Sequence, residues 1–518
     1  MLWWLLAPSP GCGRFDPKKQ YPKSTRRSSQ WAGYFFLRLM YPAPCLSVLI
    51  CLTLVSCSQS NDSNQTPAGN TRSEMLLSDY EGLYEYEHGS SLIMVQGPKN
   101  KLLFASINDA RYPLRPATKD VFLNAGDIEV IFVRDENGEV MGYRENKAKI
   151  LEDNPLFKLL DRSKRLPASI WHAKPENAPD TYTYRAPEDL DDGIDVASLS
   201  TGDPLLDSLS AMTTQVYAEA FPGLNSALVY KSGALVFEEY FYEFNRDTPH
   251  QQRSATKTLV ALLAGAAIDS GAISSVDEKI MPYFGQYKDL ANVDDRKRAI
   301  TIGDLLSMQS GFDCNDWGDS AGNESKMVQT DDWARFMLDL PMTSAPGTTG
   351  SYCSGNVVLV GKIIETATAK PLKEFADDVL FKPLGIKNYQ WDFRPDLSNA
   401  NNFIQAWLTP RDMMKIGILI ADNGVWNGEQ VISTDWISDL TARQSEIGDT
   451  AYGYFFWLRY LIKDGKRYET PQSSGNGGQK TILLKKYDAI IVFTGGAYNQ
   501  QSHSNDLLSE YVLAGIAR

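Results

Sequence analysis

Arg253-Ser254-Ala255-Thr256-Lys257-Thr258-Leu259-Val260-Ala261-Leu262-Leu263-Ala264-Gly265-Ala266-Ala267-Ile268 is the stretch on which the reading of this chain turns. Beyond Lys257 it has almost no polar face, the pattern of a helix buried on all sides. Ser254 and Lys257 stand at i and i+3, neighbours on one helix face with Cβ atoms about 5–6 Å apart. A lysine at the mouth of such a helix is poorly solvated, which disfavours the ammonium and lowers its pKa. The neutral amine can then take the serine proton and activate a weak nucleophile. No other serine of the chain has a lysine three residues on. Serine at a helix start is also an ordinary N-cap, so a capped core helix with an incidental lysine is the competing account.

Working outward, 518 residues suffice for two or three domains. A hydrophobic content of 43% with 22% charged residues is that of a globular chain. The net charge of −13 argues against nucleic acid, which selects basic faces. The four histidines form no His-x-His or His-Glu-x-x-His pair, and no Cys-x-x-Cys occurs, so no metal site is expected. Gly475-Asn476-Gly477-Gly478-Gln479-Lys480 is glycine-rich but lacks the Gly-Lys-Ser/Thr ending of a phosphate loop.

Near the N-terminus, Cys45 to Val55 form an apolar run too short to span a bilayer and of a length suited to a secretory signal. It ends in Leu54-Val55-Ser56-Cys57, which looks like a bacterial lipobox with Cys57 as the lipidated residue. A plain anchor, or a cleaved signal without lipid, fits the run as well. A long basic stretch precedes it, longer than signal n-regions usually are, which leaves both Met1 and a downstream position open as the start of translation. Residues 1–57 are read as leader and 58–74 as a flexible tether, polar and unable to bury a core. This places the mature chain, lipid-anchored, in the bacterial cell envelope facing the periplasm. Cys314 and Cys353 are the two cysteines after Cys57, and in that oxidising compartment they are expected to pair.

Residues 75–150 read as a small all-β module. Its strand-like runs include Leu92-Ile93-Met94-Val95 and Glu129-Val130-Ile131-Phe132-Val133, separated by turn clusters at Gly97-Pro98-Lys99-Asn100 and Asp135-Glu136-Asn137-Gly138. Residues 151–206, rich in proline and acids, read as a linker. Residues 207–518 read as one α/β (α+β) domain. A hairpin at Ala227–Tyr240 and another at Thr481–Thr494 enclose a mainly helical middle, predicting an antiparallel sheet completed by the two ends of the domain and flanked by helices.

Several landmarks of this domain then stand in a recognisable order: the Ser254/Lys257 helix, Ile302-Gly303-Asp304-Leu305-Leu306-Ser307-Met308-Gln309-Ser310-Gly311, Tyr352-Cys353-Ser354 before a long helix, and Leu408-Thr409-Pro410-Arg411-Asp412. Together they resemble the class C β-lactamase-like serine hydrolases, which share a fold with penicillin-binding proteins. The resemblance implies that Tyr352 is the catalytic tyrosine, its phenol moving the proton beside Ser254 and Lys257. A lysine ammonium near that phenol would favour its ionised form. Ser354 takes the place of the asparagine of the family's Tyr-x-Asn motif, a departure shared with 6-aminohexanoate-dimer hydrolase-like members. The family's Lys-Thr-Gly motif corresponds to the region Ser473-Ser474-Gly475-Asn476-Gly477-Gly478-Gln479, which holds neither lysine nor histidine. That absence weakens recognition of a substrate carboxylate and points to an ester or amide of small size. The oxyanion hole is expected from the N–H of Ser254 and one from Gly477, Gly478 or Gln479. The β module resembles the lipocalin-like accessory domain of such hydrolases, here at the opposite end of the chain from its usual place. The implied mechanism is acyl transfer, and it calls for no cofactor.

Three other readings compete. A β-lactamase or DD-peptidase would act on β-lactams or peptidoglycan peptides through the same serine. A non-catalytic cell-wall or ligand-binding module would keep the fold without turnover. Gly318-Asp319-Ser320-Ala321-Gly322, with His503 later in the chain, matches the lipase-type nucleophile elbow, but no strand-like run precedes it and no apolar helix follows.

Overall fold

A computed structural model describes residues 76–518, apart from 87–90, 98–101, 108–109, 125–126, 147–154, 167, 176–177, 180, 319, 392–404, 499 and 518. The leader, Cys57 and the tether lie outside the described residues.

Eight antiparallel strands close the first barrel in simple up-and-down order: β1 (Gly82–Glu85), β2 (Ser91–Gln96), β3 (Leu103–Ile107), β4 (Ala110–Thr118), β5 (Val121–Leu123), β6 (Glu129–Arg134), β7 (Val140–Glu145) and β8 (Phe157–Asp161). Side chains alternate in and out, as the two-residue period of a strand requires. The interior is filled by rings: Tyr80 meets Phe122 and Phe132 at centroid distances of 5.0 and 4.7 Å, and Tyr143 meets Phe157 at 5.1 Å. β8 comes from the stretch read as linker. It pairs with both β1 and β7, so closure removes the two edges an open meander would expose.

The second part is built on an eight-stranded sheet. Its strands in chain order are β9 (Leu224–Lys231), β10 (Ala234–Tyr240), β11 (Ser445–Ile447), β12 (Thr450–Tyr452), β13 (Trp457–Lys463), β14 (Lys466–Ser474), β15 (Lys480–Leu484) and β16 (Ala489–Gly495). The spatial order is β10-β9-β16-β15-β14-β13-β12-β11, every neighbour antiparallel. The first hairpin and the last therefore meet in mid-sheet, as their positions in the sequence suggest. The strands of 445–474, which extend the sheet, lie beyond the helical middle and carry weaker alternation.

One sheet face packs on a helix of Pro204–Tyr217 and the C-terminal helical segment, the other on the helical layer. The centre of that layer is the serine helix, Thr256–Asp269, buried from Thr256 to Ala267. Gly265 is needed there, since a Cβ would overlap the indole of Trp436, whose Nε1 donates to Ala261 O at 3.0 Å. A buried arginine joins the helix Pro410–Ala421 to the sheet: Arg411 donates to both Glu238 oxygens at 2.8 and 2.7 Å and to Asp192 at 3.2 Å. Such a pair contributes little relative to apolar packing, but losing one partner strands a buried charge.

Candidate active site

Ser254 stands in a single turn of 3₁₀ helix, Arg253–Ala255, that leads directly into the serine helix. Neither the turn nor the helix has a side-chain cap, so Ser254 is not the N-cap of the competing account. Its hydroxyl instead accepts a hydrogen bond from Lys257 Nζ at 3.2 Å. The first N–H groups of a helix have no intrahelical acceptor, and Ser254 lies among them. Arg253 just before it has φ +50°, a left-handed conformation that costs a non-glycine residue. Its guanidinium sits 4.6 Å from the centre of the Tyr498 ring.

Lys257, 5% exposed, also donates to Ser354 Oγ at 3.0 Å, and its Nζ lies 5.0 Å from the centre of the Tyr352 ring. The fold thus brings Ser254, Lys257, Tyr352 and Ser354 to one point. The helix Ser354–Thr368 packs along the serine helix, and Tyr352 and Ser354 stand at its entrance. Ser354 N donates to Asp316 Oδ2 at 2.7 Å, and Asp316 N donates to Tyr352 O at 2.9 Å. The Cys314–Cys353 disulfide, with a Cα separation of 5.6 Å, ties the same two segments covalently.

The protonation of Lys257 differs from the expectation drawn from its helix. Burial does push its pKa down, and is the largest influence. Tyr352, Glu324 and Asp316 together outweigh it, so the pKa is raised above the ordinary lysine value. This environment favours the ammonium of Lys257 over a neutral-amine base. Glu324 shows the reciprocal balance: burial and the nearby Asp316 raise its pKa, against Lys257, Arg253 and a hydrogen bond from Gln405 Nε2 at 3.4 Å. Asp316 Oδ1 accepts from Glu324 N at 2.9 Å. Sequence reasoning missed both acids. Asp316 lies on a loop and Glu324 opens a helix of only four residues, Glu324–Met327, too short for a period to mark, and only tertiary folding brings them to the lysine.

An aromatic stack covers the tyrosine. Trp317, 59% exposed, lies parallel to Tyr352 at 4.6 Å, and Trp457 lies on it at 5.6 Å. A tryptophan so exposed is a large apolar surface presented to whatever occupies the cleft.

The residues of 473–479 divide into two groups. Ser473 Oγ donates to Ala255 O at 3.2 Å, and a Cβ on Gly475 would overlap the carbonyl oxygen of Gln252. The end of β14 therefore lies directly against the turn of Ser254, and only glycine permits the approach. Gly477, Gly478 and Gln479 follow, and their carbonyl and side-chain oxygens are tied to the segment after β16. Gly477 O accepts from Ala497 N at 3.0 Å, Gly478 O accepts from Ser504 Oγ at 3.2 Å, and Gln479 Oε1 accepts from Gly495 N at 3.0 Å. They hold the loop that follows β16, and the backbone next to Ser254 is that of Gly475.

Ser320 is a loop-closing residue. Its Oγ accepts from Asn315 N at 3.0 Å and donates to the Gly322 carbonyl. His503 packs on Phe221 and lies 3.5 Å from Asp506, so it does not serve Ser320 as base. Among the described residues no group of three or more His, Cys, Asp and Glu side chains is arranged to hold a metal ion.

Comparison with known proteins agrees with this architecture. The model of the Beta-lactamase family matches residues 210–480. The 6-aminohexanoate-dimer hydrolase of Paenarthrobacter ureafaciens is 25% identical over 330 residues, covering 58% of this chain and 81% of that protein. Beta-lactamase-like protein 2 of Dictyostelium discoideum is 23% identical over 214 residues, covering 40% of this chain and 35% of its own length. Among solved structures, a family VIII carboxylesterase is 16% identical with a TM-score of 0.49, over 60% of this chain and 96% of that one. Because the family model runs over more than half of the chain, from the helix ahead of β9 to the start of β15, this protein belongs to the Beta-lactamase family of serine hydrolases.

Proposed function

We propose that the protein hydrolyses an ester or amide through an acyl-enzyme formed on Ser254. The observation that carries this is Lys257, whose buried ammonium donates to both Ser254 Oγ and Ser354 Oγ beside the ring of Tyr352. An ammonium cannot accept the serine proton, so Tyr352 takes it as the phenolate, the ionised form that the Lys257 ammonium favours, and becomes the neutral phenol. The Ser254 Oγ–carbonyl carbon bond forms as that proton leaves. The carbon–leaving atom bond then breaks as Tyr352 returns the proton to the leaving oxygen or nitrogen. Water repeats the two steps and frees the acid. The N–H of Ser254, with one from Gly477, Gly478 or Gln479, receives the negative charge of the tetrahedral intermediate. Trp317 and Trp457 supply an apolar platform for the substrate, which suits a small ester or amide.

Labelling with a fluorophosphonate tests this reading. Wild type and Ser320→Ala are expected to react, and Ser254→Ala is not. Labelling that survives in Ser254→Ala and disappears in Ser320→Ala would transfer the chemistry to the other serine. A fluorescent penicillin run alongside separates the β-lactamase or DD-peptidase alternative, which alone requires acylation by a β-lactam. Absence of every label from wild type would favour a binding module.

The reading also keeps the protein in the cell envelope, held by lipid on Cys57. Radiolabelled palmitate is expected in wild type and absent from Cys57→Ala; equal incorporation in both would remove the anchor.

A further inference from the structure

Where the barrel meets the hydrolase half, the structure holds a cavity of about 320 Å³ that the mechanism above does not use. That size suits a small molecule. The barrel supplies Phe104 from β3 and Arg111 from β4, the short turn Ala168–Trp171 supplies Trp171, and the hydrolase half supplies Glu219, Tyr242 and Ala497. Phe104 and Trp171 meet at a centroid distance of 5.0 Å. Arg111 Cζ lies 5.9 Å from the centre of the Trp171 ring and 5.4 Å from that of Tyr242. The walls are tied to one another: Tyr242 Oη accepts from Gly223 N at 3.2 Å, and Gly223 O accepts from Gly496 N at 2.9 Å. A cavity held in this way loses little freedom when it is filled.

Two of the wall residues have left-handed backbones, Glu219 with φ +62° and Tyr242 with φ +59°. Glycine is the unstrained residue for that conformation, so a glutamate and a tyrosine there cost free energy. Such strain gathers at ligand sites. The charges of the cavity point the same way. Arg111, its side chain 14% exposed, donates from Nη1 to Ile170 O at 2.7 Å, and Glu243 approaches the same nitrogen at 3.7 Å, too far for a hydrogen bond. Among the described residues, Nε and Nη2 of Arg111 make no hydrogen bond. Glu219 Oε1 lies 3.5 Å from Nδ1 of the exposed His172. Burial chiefly raises the Tyr242 pKa; the Gly223 N–H and Arg111 pull it down, and Glu219 and Glu243 push it up, so both signs of charge reach one hydroxyl.

We infer that this cavity binds a free α-amino acid with an aromatic side chain. An anion alone would face Glu219, a cation alone would face Arg111, and a neutral molecule would leave both without a partner. A zwitterion answers both. The guanidinium fork of Arg111 matches the two oxygens of its carboxylate, and Glu219 accepts from its ammonium. Because Arg111 and Glu219 act on the same Tyr242 hydroxyl, the two ligand charges must be close together, as they are on one α-carbon. Phe104 and Trp171 receive the ring. The barrel thereby gains a role, since it contributes the arginine and one of the rings.

Calorimetric titration of the wild-type protein with both enantiomers of phenylalanine tests this. Phenylacetate lacks the ammonium, phenethylamine lacks the carboxylate and alanine lacks the ring. One enantiomer of phenylalanine is expected to bind, and each of the three analogues about tenfold or more weaker, as loss of a charged hydrogen bond or of ring contacts implies. Arg111→Met and Glu219→Gln should each weaken phenylalanine binding by about tenfold or more, with Arg111→Lys restoring part of the loss. Glu219→Gln should bind phenylacetate no more weakly than wild type does. The two conservative variants, Arg111→Lys and Glu219→Gln, keep size and polarity, and an unchanged Tm checks that they fold. No heat with either enantiomer, or binding unaltered in both Arg111→Met and Glu219→Gln, would overturn the site. Phenylacetate or phenethylamine binding as tightly as phenylalanine would overturn the zwitterionic ligand. The titration needs no turnover, so a Ser254 inert to every label would leave this inference standing, and failure to bind would leave the serine chemistry standing.

Discussion

Lys257→Met and Tyr352→Phe are each expected to lower kcat/KM on a simple ester by about 10³–10⁴, and the double variant by little more. Groups that act as one unit lose most of their effect when any member is removed. Here the unit is physical. Lys257 donates to the nucleophile and to Ser354 and lies against the ring of Tyr352. Without the ammonium, the phenol has no charge to stabilise its ionised form. Without the phenol, the serine proton has no acceptor. A double variant showing the product of the two single losses would mean that the residues act independently, against this arrangement.

The pH profile provides a second reading of the same pair. Tyr352, Glu324 and Asp316 raise the Lys257 pKa above its ordinary value near 10.5 in spite of burial. The sign follows directly. A raised lysine contributes stability that is complete below the unfolded pKa and lost as pH rises through the higher folded value. Activity that needs the ammonium should therefore persist through the usual lysine range and fall only on its alkaline side. A neutral-amine base gives the opposite limb, with activity rising as Lys257 loses its proton. An acid limb abolished by Lys257→Met would restore that mechanism.

Reduction of the Cys314–Cys353 disulfide is expected to lower Tm by about 5–10 °C and kcat/KM by about tenfold or more. The bond closes a loop of 39 residues, worth about 4 kcal/mol in the loop-closure account. Its position matters more to catalysis than its energy. One cysteine is two residues before Asp316 and the other lies between Tyr352 and Ser354. The bond thus fixes the loop of Asp316 and Trp317 against the entrance of the tyrosine helix, with the Asp316 hydrogen bonds as the remaining link. Ångström-scale release of a proton carrier is costly in rate. Thermal melts and ester assays with and without reductant check this, and Cys314→Ser with Cys353→Ser should reproduce the reduced protein. Unchanged melting and activity after complete reduction would make the bond incidental.

How much of this was legible in the chain depended on whether a residue's role is local. The serine helix announces itself because burial on all sides requires apolar residues at every position, and Ser254 and Lys257 are held together by helical period alone. Both hairpins of the sheet are visible for the similar reason that turns and β runs are local. Strand β8 was not, since what makes Phe157–Asp161 a strand is the pair of edges, β1 and β7, that it seals. Gly477, Gly478 and Gln479 mark a tight turn in the sequence, but which backbone faces Ser254 depends on how that turn folds over β16. The overlap a Cβ would make at Gly475 identifies the close approach.

The sequence by itself determined the fold class, the order of the landmarks and the juxtaposition of Ser254 with Lys257, because these rest on periodicity and short spacing. Only the tertiary structure decided the charge of that lysine. Desolvation can be read from an apolar helix, whereas Tyr352, Glu324 and Asp316, which overrule it, arrive from segments more than fifty residues away. Electrostatic energy depends on distance through space, and distance through space between remote residues is what a linear pattern does not contain.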